Sequence, residues 1–144
     1  GDALRGIAEQ LREQGGRADW AVADVADRDA LEAAARKAEE VFGGIDSWVN
    51  DAGVSTYGTL EQVPVEDQRR LFETNYWGVV HGSLIAAQAL RRRGSGAIVN
   101  IGSVLSDRAM IFQGAYSASK HAVKAFTDTL RMELAHAGAP ISVT

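Results

Sequence analysis

The chain has 144 residues, a formal net charge of −4 and no cysteine. Its length fits one domain. The absence of cysteine excludes disulfides and zinc–thiolate sites, and the mild acidity argues against a nucleic-acid partner, which needs a basic face. No apolar run approaches the roughly 18 residues that span a bilayer, and no signal peptide is visible, so a cytoplasmic protein without a membrane partner is expected. The sequence starts with Gly1 inside a helical pattern and stops at Thr144 inside a strand pattern, which predicts a piece of a longer protein.

The first half of the chain alternates helical and strand patterns. Apolar residues at helical spacing mark the helices, and a Gly-Gly pair ends each of them. Asp27 is the candidate N-cap of the second helix. The predicted elements are a helix around 4–11, a strand over 20–25, a helix over 29–42 and a strand over 45–49.

The second half continues the alternation, apart from a segment over 104–114 that has no clear period. Its predicted elements are a long helix over 65–90, a strand over 97–101, a helix over 115–135 and a strand from 141 to 143. Strands that alternate with helices indicate β-α units and a parallel sheet. The continuous apolar stretch Ala97-Ile98-Val99 suits a sheet covered on both faces. The predicted fold class is therefore α/β.

Polar residues follow three of the predicted strands. Asp24, Asn50 and Ser103 each stand at the carboxyl end of a strand, where ligands bind in such sheets. Tyr116 and Lys120 lie one helical turn apart, so they share a helix face. An ammonium beside a phenol favours the phenolate, so this pair can exchange a proton near neutral pH.

These motifs, in this order, resemble the short-chain dehydrogenase/reductase family, in its single-domain branch. The resemblance covers essentially the whole chain and is carried by Asp24-Val25, Asn50-Asp51-Ala52-Gly53, Asn75, Ser103 and Tyr116-Ser117-Ala118-Ser119-Lys120. It implies a Rossmann-like, doubly wound parallel sheet in three α/β/α layers, with strand order 3-2-1-4-5-6-7. Residues 1–144 would form strands 3 to 6 of one partial domain, without the glycine-rich phosphate loop. The third strand would then lack a neighbour, which predicts that the isolated chain is marginally stable, aggregates or is held together by other segments.

The resemblance implies a catalytic role for four residues. Tyr116 would be the general acid/base, Lys120 would lower its pKa and bind the nicotinamide ribose, and Ser103 would orient the substrate oxygen. Asn75 would hold a water that links Lys120 to solvent. The alternatives are a packed tyrosine, a solvated lysine, a turn serine and, for Asn75, a helix kink near Gly78.

Other positions are implied to contact the cofactor, NAD or NADP. Asp24 would accept a hydrogen bond from the adenine amino group, with Val25 beside the ring; capping of the next helix is the alternative for Asp24. Asn50, Ala52 and Gly53 match a loop whose backbone approaches the cofactor ribose. The choice between the two dinucleotides depends on the first and second strands of the family fold, which this sequence does not include.

Asp51 stands where the family usually has asparagine. A carboxylate cannot donate as an amide does, so the secondary hydrogen bonds of this loop are expected to differ. The proton-transfer residues are expected to be unaffected.

The segment after Ser103 carries the substrate-facing positions in the family. Met110, Ile111 and Phe112 would form an apolar wall and Gln113 a polar contact, which indicates a hydrophobic carbonyl or alcohol. Alternatively, these residues pack under a C-terminal segment. The three histidines lack metal-ligand spacing, so no metal is expected.

The predicted function is therefore an NAD(P)-dependent oxidoreductase that interconverts a secondary alcohol and a ketone or aldehyde by hydride transfer. An epimerase or dehydratase of the related extended branch, and a non-catalytic binding or oligomerisation module, are the alternatives. The expected partners are a small-molecule alcohol or carbonyl substrate and further copies of the chain. The helices over 65–90 and 115–135 would form a homo-dimer or homo-tetramer, as they do in the family.

Overall fold

The computed structural model describes residues 1–144, which form three strands, five α-helices, one π-helical turn and one 3-10 turn. In chain order these are α1 (Asp2–Glu13), α2 (Arg28–Phe42), β1 (Ser47–Asn50), α3 (Val65–Phe72), the π-helical turn (Glu73–Trp77), α4 (Gly78–Arg93), β2 (Gly96–Asn100), the 3-10 turn (Val104–Ser106), α5 (Gly114–His136) and β3 (Ile141–Val143). No helix among them combines the length and the apolar character needed to cross a bilayer.

The three strands form one parallel sheet in the order β1-β2-β3. Asn50 pairs with Asn100, and Ile98 pairs with both Trp48 and Val143. Because the strands are parallel, their carboxyl ends share one edge of the sheet, and the loops that follow β1 and β2 emerge side by side. The α/β class and the parallel sheet predicted from the sequence are confirmed.

One face of the sheet is covered by α4, which packs on β1 and β2, and by α5, which packs on β3. The core on this side includes Leu90 and Ile98, both with no exposed surface, and Leu134. Each such side chain contributes about 1.5–3 kcal/mol when it is fully buried. The strand residues on the other face are more open: Val49 is 57% exposed.

The predicted strand over 20–25 is not formed. This segment is irregular because no strand lies beside it, and a strand exists only through its ladder to a neighbour. Side chains hold it instead: Lys37 Nζ donates to the Trp20 carbonyl at 2.6 Å and lies 3.1 Å from Asp19. The hydrogen bond from Trp20 N–H and the contact with Lys37 hold the pKa of Asp19 below its usual range.

Candidate active site

The first turns of α5 bring Tyr116 and Lys120 together at one cleft. The Lys120 ammonium lies 5.8 Å from the centre of the Tyr116 ring. Its Nζ donates to the carbonyl of Ile101, the residue that follows β2, at 2.8 Å. Lys120 is only 5% exposed, whereas Tyr116 is half-buried. The lysine is therefore held between α5 and the end of the sheet and is not a solvated surface residue.

Two opposing effects act on the charge of Lys120. Burial lowers the pKa of Lys120 because the ammonium loses water, and the Asp51 carboxylate raises it in part by favouring the charged form. Asp51 lines the same cleft. The residue that departs from the family pattern thus acts directly on Lys120, and the expectation that this difference leaves the proton-transfer residues unaffected is wrong.

Ser103 follows β2 and starts the 3-10 turn. Its Oγ accepts from Leu105 N at 3.1 Å, and Ser106 Oγ accepts from Ser103 N at 3.1 Å. A hydroxyl that accepts one hydrogen bond still has its proton to donate. Ser103 therefore is a turn serine and also offers an O–H to the cleft that it lines.

Asn75 lies in the π-helical turn and has no exposed surface. Its Oδ1 accepts from Val54 N at 2.8 Å, and its Nδ2 donates to the Val54 carbonyl at 2.9 Å and to Ser119 Oγ at 3.1 Å. The side chain thus ties the loop after β1 to α5. The irregularity that was the alternative prediction also exists, since the π-helical turn ends immediately before Gly78.

The side chain of Asn50 points into the interior. Its amide donates to Asn100 Oδ1 at 2.7 Å and to Ser83 Oγ at 3.1 Å, and its oxygen accepts from Trp48 Nε1 at 2.7 Å. Asn100 continues the network by donating to Thr127 Oγ1 at 2.9 Å. Asn50 joins β1, β2, α4 and, through Asn100, α5, so its own side chain is not available to a ligand.

Asp24 lies apart from the cleft. It is exposed, lines a separate cavity together with Glu66 and Arg70, and accepts from Ala26 N at 3.0 Å. The alternative prediction that it caps the next helix is wrong, because Asp27 caps α2 by accepting from the amides of residues 29 and 30.

Val25 packs against the N-terminal end of α4. A Cβ added at Gly78 would lie 2.7 Å from Val25 Cγ2, so the absence of a side chain at Gly78 is what lets the two segments approach. The Val25 side chain thus packs against α4 of the protein itself.

The cleft has a volume of about 490 Å³. Six predicted site residues line it: Gly53, Ser103, Met110, Gln113, Tyr116 and Lys120. Ile111 and Phe112, the other members of the predicted apolar wall, do not line it. Asn75 does not line the cleft but bonds Val54, which does. The predicted residues that do not line it also include Asp24, Val25, Asn50 and Ala52.

Several residues of the site were missed by sequence reasoning. Val54 and Tyr57 line the cleft, and the Ile101 carbonyl holds the lysine. Ser119, which bonds Asn75, carried a usable signal, because it lies three residues after Tyr116 on the same helix. The others follow from loop conformation, for which the sequence shows no period.

The family model for short-chain dehydrogenases matches residues 1–144, so the chain belongs to that family. Among curated proteins, it is 41% identical to the oxidoreductase YxnA of Bacillus subtilis, over 99% of this chain and 40% of that protein. It is 35% identical to a putative ketoacyl reductase of Streptomyces coelicolor, over 98% of this chain and 55% of that protein.

Solved structures of the family share this fold. A short-chain dehydrogenase/reductase from Burkholderia phymatum, in complex with NAD, superposes with a TM-score of 0.94 at 33% identity, over 98% of this chain and 50% of that one. A gluconate 5-dehydrogenase from Burkholderia cenocepacia, in complex with NADP and tartrate, gives a TM-score of 0.86 at 32% identity, over 95% and 52%. The chain thus spans about half the length of the proteins it matches.

Proposed function

We propose that this chain carries the proton-transfer part of an NAD(P)-dependent oxidoreductase site, in a protein that interconverts a secondary alcohol and a ketone or aldehyde. The observation that carries the proposal is the placement of Tyr116, Lys120 and the free O–H of Ser103 in one cleft. The same cleft holds a proton donor, a cation beside it and a second donor for one oxygen atom. That set fits acid/base chemistry at a carbonyl or alcohol.

The residues of the cleft fit a dinucleotide. Lys120 Nζ has three donors and spends one on Ile101, so two remain for ribose hydroxyls. A Cβ at Gly53 would meet Asn75 Oδ1 at 3.6 Å and Lys120 Nζ at 4.0 Å, which are ordinary contacts. The packing of the protein therefore does not require a glycine at position 53. The absence of a side chain there instead leaves space in the cleft for a ligand. Its relatives were solved with NAD and with NADP, and either dinucleotide would supply the hydride.

The residues of the chain would then move one proton. In reduction, the Tyr116 O–H donates its proton to the carbonyl oxygen as the carbon gains hydride; in oxidation, Tyr116 takes the proton of the alcohol. Ser103 donates a hydrogen bond to the same oxygen and holds it beside the phenol. Lys120 stabilises the phenolate that remains after proton donation.

Asn75 would act mainly by fixing the loop after β1. Both hydrogens of its amide are taken, by the Val54 carbonyl and by Ser119. A relay water would therefore have to bond its backbone carbonyl or the second lone pair of Oδ1. The proton relay that the family resemblance implies between Lys120 and solvent would therefore use one of these two oxygen atoms of Asn75 and not its amide hydrogens.

A homo-oligomer is part of this proposal. Leu84 of α4 is 37% exposed, and it lines an outward groove together with Arg91 of α4 and Glu133 of α5. We expect light scattering of the full-length protein to give a dimer or tetramer, and Leu84→Glu to dissociate it.

The replacement Tyr116→Phe in the full-length protein tests the proposed chemistry. General acid/base catalysis contributes about 10²–10⁴-fold, so kcat for carbonyl reduction should fall by that factor while dinucleotide affinity stays close to wild type. Tyr57→Phe is the matched control, because Tyr57 lines the same cleft and is 78% exposed. Wild-type turnover in Tyr116→Phe would refute the assignment. Reaction without net change in the oxidation state of the nicotinamide would favour an epimerase or dehydratase.

A further inference from the structure

We propose that the substrate of this site is apolar beyond its reacting oxygen: an alkyl or aryl ketone, or the matching secondary alcohol, rather than a polyol or a keto acid. This inference rests on the proposed function and adds the class of substrate. It is carried by an apolar rim around the cleft, which consists of Val54, Tyr57, Val104 and Met110.

The apolar rim is exposed as a group. Tyr57 is 78% exposed, Val104 77%, Met110 54% and Val54 46%, and all four line the cleft that holds Tyr116. Single exposed apolar residues are ordinary on protein surfaces, but a contiguous group around a cleft marks a binding surface. A substrate that reaches Tyr116 must lie against these side chains.

Two loops that are joined by a backbone hydrogen bond form this rim. Gly58 N, in the loop after β1, donates to the Phe112 carbonyl, in the loop after β2, at 3.0 Å. Phe112 has a φ of +67°, a left-handed conformation that costs a bulky residue energy and persists only when its surroundings impose it. Leu60 packs where a Cβ of Gly114 would lie, which adds a contact between the loop after β1 and the first residue of α5. The rim is thus held in place before a substrate arrives.

The charged residues that this chain contributes to the cleft offer no partner for an anionic substrate. Asp51 and Lys120 are the two residues with charged side chains that line it, and they carry opposite charges. Asp51 would repel a carboxylate, and the Lys120 ammonium already bonds the Ile101 carbonyl and lies beside Tyr116. No arginine, which binds carboxylates in a bidentate manner, lines the cleft. A substrate carboxylate would lose water there without a compensating ion pair.

The test is a series of 2-alkanones of increasing length, reduced by the full-length protein and compared with a keto sugar and a 2-keto acid. We expect kcat/KM to rise about two- to fourfold for each methylene until the rim is covered, mainly through KM. Met110→Gln should flatten this dependence, and Met110→Leu should retain it. Met132→Gln is the matched control, because Met132 is 63% exposed on α5 and does not line the cleft.

Three results would overturn the inference. The first is a higher kcat/KM for the keto sugar or the keto acid, with turnover that still depends on Tyr116; this would leave the proposed function intact. The second is a flat chain-length dependence together with a lower unfolding free energy in Met110→Gln, which would mean that the rim packs against protein. The third is the absence of any reduction that depends on Tyr116, which would remove the proposed function and this inference with it.

Discussion

A single methyl group at Gly82 is expected to disrupt the polar network that joins the sheet to its helices. Gly82 is buried in α4, and a Cβ added there would overlap Asn50 Oδ1 and lie 2.9 Å from Trp48 Nε1. Because the Asn50 side chain also bonds Ser83 and Asn100, it cannot retreat and keep its partners. The methyl group of Gly82→Ala is therefore expected to push α4 away from β1 or to break hydrogen bonds of Asn50.

The size of the effect follows from the contacts. Three hydrogen bonds of the Asn50 side chain are at risk, each with a net contribution of about 1 kcal/mol. Overpacking a tight interior adds about 1–3 kcal/mol. Alanine gains about 1 kcal/mol over glycine within a helix. The free energy of unfolding should therefore fall by about 3–5 kcal/mol.

Urea unfolding of the full-length protein measures this change through the midpoint, at unchanged slope. Gly6→Ala is the matched control, because Gly6 lies inside α1 and a Cβ added there meets nothing within 4 Å. That variant should gain about 0.5–1 kcal/mol from helix propensity alone. If Gly82→Ala stabilised the protein as Gly6→Ala does, the Asn50 side chain would have to move without a loss of free energy. The argument that its hydrogen bonds fix its position would then be wrong.

Two further predictions concern the cleft. Asn75→Ala leaves the N–H and C=O of Val54 without their partners, so we expect a loss of about 2–4 kcal/mol and faster amide hydrogen exchange at Val54; unchanged exchange would contradict this. Asp51→Asn removes the charge that raises the pKa of Lys120 while burial still lowers it. The ammonium should then be lost at lower pH, and the alkaline limb of the kcat/KM profile should move to lower pH. A shift of the alkaline limb to higher pH would contradict the expectation that Asp51 raises the pKa of Lys120.

The elements of the fold were largely predictable because their signals are local. Helix α2 was predicted over 29–42 and runs Arg28–Phe42, with Asp27 as its cap, and β3 was predicted at its observed bounds. The long helix predicted over 65–90 corresponds to α3, the π-helical turn and α4, which end at Arg93. Spacing predicted that Tyr116 and Lys120 share a helix face, since a 3.6-residue period needs no information from the rest of the molecule.

The positions that were not predictable depend on distant partners. The segment 20–25 has the alternation of a strand, but a strand also needs a neighbour, and none lies beside it. The family resemblance predicted a cofactor contact for the loop of Asn50, yet the Asn50 side chain turns towards Asn100, fifty residues later in the chain. The direction of a side chain at the end of a strand is decided by what packs above it, and that information is absent from the local sequence.

The amino-acid sequence by itself determined the α/β class, the order of the helices and of the three strands that form, and the pairing of Tyr116 with Lys120, because periodicity and short spacing act within one helix or strand. Only the tertiary structure decided which polar groups face the cleft: it placed Asp51 on its wall, buried Lys120 against the Ile101 carbonyl and joined two loops between Gly58 and Phe112. The physical reason is that burial, charge and a cross-loop hydrogen bond are properties of surroundings, and these surroundings come from segments far apart in the chain.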